Sequence, residues 1–163
     1  MKALLEPIKE IARFDELFRD LKKGTAGVTV ISGCLESQKA HMIAGLSEDV
    51  PVRLLIAENE LKAKELYEDY RLYDAETLYY PAKDLIFYQA DIHGNLLIRQ
   101  RLQVIQALLE RKEVTIITSV GGCMDFLLPL GVFEKHCIHL RNDSEFDLDK
   151  IRKELVRLGY EST

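Results

Sequence analysis

Short runs of β-branched and aliphatic residues alternate along this chain with stretches whose apolar residues recur every three or four positions. The short runs predict buried strands, and the three-to-four spacing predicts helices. The predicted strands cover residues 28–31 (VTVI), 52–57 (VRLLIA), 76–80 (ETLYY) and 114–118 (VTIIT). Because strands that alternate with helices are typical of parallel sheets, we predict an α/β fold in which helices flank a parallel sheet.

Helical spacing occurs before, between and after these strands. At the N-terminus it predicts a helical lead-in that ends at Gly24 after two lysines, which is a common helix stop. Three further helices are predicted within the α/β region. One follows the first strand, one is capped by Asn59, and one covers about residues 95–111.

The pattern changes at Leu127-Leu128-Pro129-Leu130-Gly131, which indicates a domain boundary. Beyond it, residues 136–140 predict one strand, and the apolar residues from Leu148 to Leu158 predict one face of a final helix. One strand and one helix bury little apolar surface by themselves. We therefore expect an α/β lobe over residues 1–128, followed over 129–163 by the start of a second small α+β domain that belongs to a longer protein.

Composition and charge exclude several classes of protein. The chain has 163 residues, of which 47% are hydrophobic and 30% charged, as in ordinary globular proteins. No segment reaches the roughly 18 apolar residues that a membrane helix requires. The net charge is −5 and opposite signs are interleaved, which argues against DNA binding by this chain alone. Three widely spaced cysteines predict reduced thiols and a cytoplasmic protein.

The turn after the first predicted strand is compared with a phosphate-binding loop, G-x-x-x-x-G-K-[ST], which also lies between a strand and a helix. Gly33 and Lys39 match this pattern, but Gln38 replaces the second glycine and Ala40 replaces the hydroxyl residue that binds Mg²⁺. We therefore predict a degenerate loop that binds no nucleotide cofactor. The alternative is a nucleotide-binding enzyme or switch that uses Lys39.

No combination of residues predicts a catalytic centre or a metal site. A cysteine phosphatase loop beginning at Cys34 would need an arginine where Ala40 stands, and the cluster His136, Cys137 and His139 has no second pair of metal ligands.

One aromatic segment follows the third predicted strand, at the end of the sheet where α/β proteins bind ligands. It is predicted to be an exposed interaction segment formed by Tyr79, Tyr80, Phe87 and Tyr88. A packed loop is the alternative, and stacking of Tyr79, Tyr80 and Tyr88 on single-stranded DNA is a further one.

Several blocks of the chain, in their order and spacing, resemble one known family. The blocks include EPIKEIARFDELFRDLKKG, the loop from Ser32 to Ala40, LLIAENELKAKELYEDY, the stretch from Tyr79 to Val120 and DLDKIRKELVRLGYE. Together they resemble the N-terminal UvrB-homology module of the bacterial transcription-repair coupling factors, the Mfd family. UvrB itself is less similar, because it keeps an intact phosphate loop and inserts a long tyrosine-rich hairpin after its third strand.

The resemblance implies a P-loop NTPase-like fold, similar to one RecA-like lobe of a helicase. It also implies that the full-length protein is an ATP-dependent DNA translocase that displaces RNA polymerase stalled at lesions and recruits UvrA. In this family the motor, with its ATP and Mg²⁺, lies in C-terminal domains, and the module restrains it. The resemblance implies that UvrA is contacted mainly by residues beyond Thr163. RNA polymerase and DNA are then reached only through the full-length protein, and this segment is not itself an enzyme.

Overall fold

A computed structural model of the protein describes most of the chain, in two compact units, Met1–Phe126 and Leu127–Thr163. The residues described are 2–11, 13–23, 27–83, 91–110, 112–138, 147–158 and 160, with only the backbone described at 2, 3 and 91–95. Within these residues, no helix is both long enough and apolar enough to cross a membrane.

The first unit contains most of the regular structure. In chain order its elements are α1 (Lys2–Leu5), a 3₁₀ turn (Glu6–Glu10), α2 (Phe14–Lys22), α3 (Glu36–Leu46), β1 (Val52–Ala57), α4 (Glu60–Tyr70), β2 (Leu78–Tyr80), α5 (Asp91–Leu109), β3 (Val114–Ser119) and α6 (Val120–Met124). The described elements of the second unit are α7 (Leu130–His136) and α8 (Leu148–Arg157).

The described strands form a parallel sheet in the order β1-β3-β2. Val52 of β1 is in register with Val114 of β3, and Leu78 of β2 is in register with Ile116. All six residues of the central strand β3 are buried, as expected for a strand with neighbours on both edges and helices on both faces. The predicted α/β class, with helices flanking a parallel sheet, is confirmed.

Each face of the sheet packs against its own helices. On one face, Leu55 and Ile117 form a buried cluster with residues of α3 and α4, including Ala40 and Ala63. On the other face, Ile116 packs with Val104 and its neighbours on α5. Neighbouring residues of a strand point to opposite faces, so Ile116 and Ile117 contribute to different clusters.

The strand predicted at residues 28–31 is wrong. This segment lies outside the regular elements, none of the described strands pairs with it, and the side chains of Val28 and Val30 are 94% and 83% exposed. The β-branched composition favours an extended backbone, but a strand also requires a neighbour that accepts its hydrogen bonds. The chain supplies no such neighbour here within its described part.

The strand predicted at residues 136–140 is also wrong where the structure describes it. His136 is the last residue of α7, and residues 137–138 are not in a strand. Pro129 immediately precedes this helix, a position where its missing N–H costs nothing. Residues 139–140 lie outside the described residues.

Gly122 lies where β3 turns into α6, and it allows the chain to approach β2 closely. A Cβ atom on Gly122 would lie 2.2 Å from Thr118 Oγ1 and 3.3 Å from the carbonyl oxygen of Tyr80. We expect Gly122→Ala to lower the free energy of unfolding by about 1–3 kcal/mol, since something in this turn must shift. Urea denaturation measures the loss.

The neighbouring glycine provides the matched control. A Cβ atom on Gly121 would meet its nearest neighbours at 3.5 Å, which is an ordinary contact. Gly121→Ala should therefore change the stability by less than about 1 kcal/mol. Equal losses in the two variants would contradict the assignment of a special role to Gly122.

Candidate functional site

The carboxyl ends of the three strands lie side by side, and polar side chains from α4 and α5 converge on them. In open α/β sheets this is the edge where ligands usually bind. We call it the carboxyl edge and define it by Glu60, Tyr79, Tyr80, Arg101 and Ser119. These side chains bind one another and the nearby backbone.

Glu60 links the ends of β2 and β3. It is the first residue of α4, directly after Asn59, whose side chain caps the helix by accepting a hydrogen bond from Lys62 N at 2.9 Å. One carboxylate oxygen of Glu60 accepts a hydrogen bond from Tyr79 Oη at 2.6 Å. The other accepts from Ala82 N at 3.2 Å and from Ser119 Oγ. Glu60 therefore supplies acceptors for three groups at the sheet end.

Arg101 binds the same region from α5. Its Nη1 donates to the carbonyl oxygen of Pro81 at 2.7 Å and to Asp125 Oδ2 at 2.6 Å. The guanidinium carbon lies 4.2 Å from the centre of the Tyr80 ring, within range of a cation–π contact. Asp125 also accepts from Lys83 N at 2.9 Å, so this ion pair fixes the chain that leaves β2.

The sequence did not reveal this role of Glu60 or Arg101. At the end of β3 itself, Thr118 and Ser119 offer only hydroxyl groups. The carboxylate instead comes from the first turn of a helix, a common position for acidic residues because it faces the positive end of the helix dipole. An acidic residue directly after the Asn59 cap was the available signal.

The degenerate loop leads into α3 and uses its polar groups internally. Gly33 has a positive φ of 82°, a conformation that favours glycine. The amides of Gln38 and Lys39 both donate to the carbonyl oxygen of Leu35, at 2.9 and 3.2 Å. The Gln38 side chain in turn accepts from Leu35 N at 3.1 Å. The amides of Leu35, Gln38 and Lys39 therefore have acceptors within the protein.

The other two residues of the loop motif are also engaged. Lys39 Nζ lies 2.6 Å from Glu36 Oε1, and this contact is the largest cause that lowers the pKa of Glu36 below its usual range. Ala40 is 1% exposed and packs in the core cluster between the sheet and helices α3 and α4, so it does not face a loop-bound metal. Whether the loop retains weak anion binding stays a prediction.

The structure describes two of the four residues of the predicted aromatic segment. Tyr80 is 6% exposed and lies beneath Arg101, and Tyr79 is half-buried with its hydroxyl bound to Glu60. Both rings therefore pack at the carboxyl edge. Phe87 and Tyr88 lie outside the described residues.

The described cysteines and histidines are not gathered into a site. Cys34 is half-buried, Cys123 and Cys137 are exposed, and all three are free thiols. No group of three or more His, Cys, Asp or Glu side chains within the described residues is placed to hold a metal ion. His41 Nε2 instead donates to the carbonyl oxygen of Leu4 at 2.7 Å, which ties α1 to α3, and its ring stacks on Tyr73.

Comparison with known proteins identifies relatives over nearly the whole chain. A protein of Staphylococcus aureus strain USA300 named transcription-repair-coupling factor is 31% identical over 165 aligned residues, covering 98% of this chain. A protein of the same name in Staphylococcus haemolyticus is 28% identical over 134 aligned residues, which cover 80% of this chain. The chain spans about 14% of the length of the first of these relatives. No family model matches the chain. These similarities confirm the resemblance seen in the sequence.

Tyr79 yields a prediction about alkaline stability. Burial is the largest cause that raises the pKa of Tyr79 above its ordinary value of 10.0, followed by the hydrogen bond to Glu60 and its negative charge. The folded protein thus keeps this phenol protonated where the unfolded chain ionises it. Its contribution to the free energy of unfolding should be constant below about pH 10 and fall as the pH rises further.

Urea denaturation at a series of pH values from about 8 to 11 measures this fall, and Tyr79→Phe should make it shallower. Tyr160→Phe, which removes a phenol that is 64% exposed, is the control and should leave the slope unchanged. An identical slope in wild type and Tyr79→Phe would contradict a raised pKa of Tyr79 in the folded protein.

Proposed function

This chain is a homologue of the transcription-repair-coupling factors, and we propose that it is the non-catalytic UvrB-like module of such a protein. The homology over 98% of the chain supports the assignment to transcription-coupled DNA repair. The parallel sheet with helices on both faces is compatible with a P-loop NTPase-like lobe whose nucleotide site has degenerated. Since the chain spans about 14% of the relative's length, the activity of the whole protein is part of the proposal.

Within the whole protein, we propose two tasks for the module. It helps to recruit UvrA to RNA polymerase stalled at DNA damage, and it restrains the ATP-driven motor by packing against it. The motor, its ATP and Mg²⁺, and the contacts with DNA and RNA polymerase then belong to other parts of the polypeptide. The module acts as an adaptor in the cytoplasm, and its contribution consists of protein–protein contacts.

The observation that carries the non-catalytic role is the internal engagement of Gln38, Lys39 and Ala40, the three residues at the end of the loop motif. Lys39 is paired with Glu36, Gln38 caps the chain before α3, and Ala40 is in the core. A functional loop needs free amides around the phosphates and a hydroxyl for Mg²⁺. At the carboxyl edge, Glu60 and Arg101 likewise bind protein groups, so neither region presents a prepared triphosphate site.

The net charge also favours protein partners. A chain with a net charge of −5 repels the phosphate backbone of DNA, unless basic residues are gathered on one surface. Several of its described lysines and arginines are instead paired with nearby acids, as in Lys9–Glu6, Lys62–Glu65 and Arg157–Glu154. An adaptor that reaches DNA only through the rest of the protein is consistent with this distribution.

Calorimetric titration of the chain with ATP and Mg²⁺ tests the absence of a nucleotide site. We expect no saturable heat, because the amides of Leu35, Gln38 and Lys39 already have acceptors and the Mg²⁺-binding hydroxyl is missing. Lys39→Ala should behave like the wild type. Saturable binding that Lys39→Ala abolishes would instead support the nucleotide-dependent switch.

A segment exchange tests the adaptor role. In the Staphylococcus aureus relative, the aligned segment is either deleted or replaced by this chain. We expect deletion to raise the basal rate of ATP hydrolysis, because a restraint on the motor is lost, and to reduce UvrA recruitment in a pull-down. The replacement should restore both properties at least in part.

Circular dichroism of the purified proteins controls for correct folding in this exchange. If the folded deletion variant hydrolyses ATP at the wild-type rate and still recruits UvrA, both proposed tasks are wrong. If only one of the two properties changes, only the corresponding task is retained.

A further inference from the structure

A short segment folds over the carboxyl edge directly after β3. It consists of α6 (Val120–Met124) and the Asp125 that follows it. A Cβ atom on Gly122 would lie only 3.3 Å from the carbonyl oxygen of Tyr80, so the segment lies directly against the end of β2. We call residues 120–125 the edge lid.

Little apolar burial holds the edge lid in place. Among its residues, all of which the structure describes, only Gly122 is buried, and glycine has no side chain to pack. Val120 and Met124 are 50% and 78% exposed. Two glycines in a helix of five residues also lose much conformational entropy when the helix forms. Local opening of such a segment requires less free energy than unfolding of the buried sheet.

Side-chain contacts instead hold the two ends of the edge lid. At its start, Gly122 N donates a hydrogen bond to Ser119 Oγ at 3.0 Å. At its end, Asp125 Oδ2 accepts from Arg101 Nη1 at 2.6 Å and from Lys83 N at 2.9 Å. The side chains of Arg101 and Asp125 are 9% and 22% exposed, so solvent and salt screen this ion pair less than a surface pair. The Arg101–Asp125 pair is therefore the strongest contact of the lid.

Two polar atoms near this ion pair lack hydrogen-bond partners while the lid is closed. Within the described part of the chain, neither Tyr80 Oη nor Arg101 Nη2 forms a hydrogen bond, and both atoms are buried. Burial raises the pKa of Tyr80 most, the charge of Arg101 opposes this, and the charge of Asp125 raises it further, so the phenol lies near the end of the lid. Because buried polar groups without partners destabilise the closed state, water that reaches them offsets part of the cost of opening.

We propose that the edge lid opens locally while the rest of the lobe stays folded, and that the Arg101–Asp125 ion pair is the latch that limits its opening. The closed lid is the dominant state. Opening separates Asp125 from Arg101 and gives solvent access to Tyr80 and Arg101, which the closed edge buries. This inference uses only the geometry of the lobe and does not depend on the role in repair.

Native-state hydrogen exchange of the whole chain, followed by NMR at low urea concentrations, tests the proposal. The amides of Gly122 and Lys83 report on the lid, because their hydrogen bonds break when it opens. The amide of Ile117, in the buried central strand, reports on global unfolding. We expect both lid amides to be at least about tenfold less protected than Ile117. Their exchange should also depend less on urea, because local opening exposes little surface.

Two charge-removing variants separate local from global opening. Asp125→Asn weakens the latch and should make the Gly122 amide exchange about tenfold faster. Asp74→Asn is the matched control, because it breaks a similarly buried ion pair, with Arg53 at 3.3 Å, at the amino ends of the strands. That pair is the same whether the lid is open or closed. Asp74→Asn should therefore speed exchange at Ile117 and leave Gly122 unchanged.

A third variant changes the lid in the opposite direction. Gly121→Ala removes one of the two glycines of α6, and its Cβ would meet its nearest neighbours at an ordinary 3.5 Å. Because alanine loses less conformational entropy than glycine in a helix, exchange at Gly122 should slow about two- to fivefold. Circular dichroism spectra that match the wild type confirm that the variants are folded. If Asp125→Asn does not fold, the wild type and Gly121→Ala still decide the question.

Each of three results would overturn the proposal. The first is exchange of the Gly122 amide in the wild type with the protection and urea dependence of Ile117. The second is acceleration of Gly122 by Asp74→Asn as large as that of Ile117, since the lid would then open only with global unfolding. The third is unchanged exchange at Gly122 in folded Asp125→Asn, which would show that the ion pair is not a latch.

Discussion

Parallel strands that end side by side leave polar groups at one edge of a sheet, and those groups need hydrogen-bond partners. In many α/β proteins a bound ligand supplies some of these hydrogen-bond partners. Here Glu60 accepts from Tyr79, Ala82 and Ser119, while Arg101 binds the Pro81 carbonyl and Asp125. The end of the sheet is thus held by two charged side chains from helices on opposite faces. Buried polar groups without such partners would destabilise the lobe.

The loop before α3 meets the same requirement in a different way. Helix N-termini present free amides that attract anions. In this chain the Leu35 carbonyl accepts from the amides of Gln38 and Lys39, and Gln38 returns a hydrogen bond to Leu35 N. The Gln38 side chain therefore supplies the acceptor for the Leu35 amide at this helix end.

Much of the sheet could be predicted from the sequence, and the reasons are local. Residues 52–57 and 114–118 are apolar runs of strand length, and Asn59 is a recognisable helix cap. The failures depend on distant parts of the chain. Residues 28–31 have the composition of a strand but no described strand pairs with them, and sequence cannot show whether a partner is present. The contacts of Glu60 and Arg101 join residues far apart in sequence, so the place of Glu60 after the Asn59 cap could indicate an acidic helix start but not its partners.

The hydrogen bonds that Glu60, Arg101 and Gln38 make within the chain have a mechanical consequence. In a nucleotide-dependent motor, binding and hydrolysis shift the equilibrium between conformations because the ligand interacts differently with each of them. Glu60, Arg101 and Gln38 are covalently part of this chain, so the interactions they provide do not come and go with nucleotide. Under the proposal that the lobe binds no nucleotide, these interactions stay the same while nucleotide binds elsewhere in the protein. A partner that packs on the lobe would then meet one surface that does not change with nucleotide, which is what the proposed adaptor role requires.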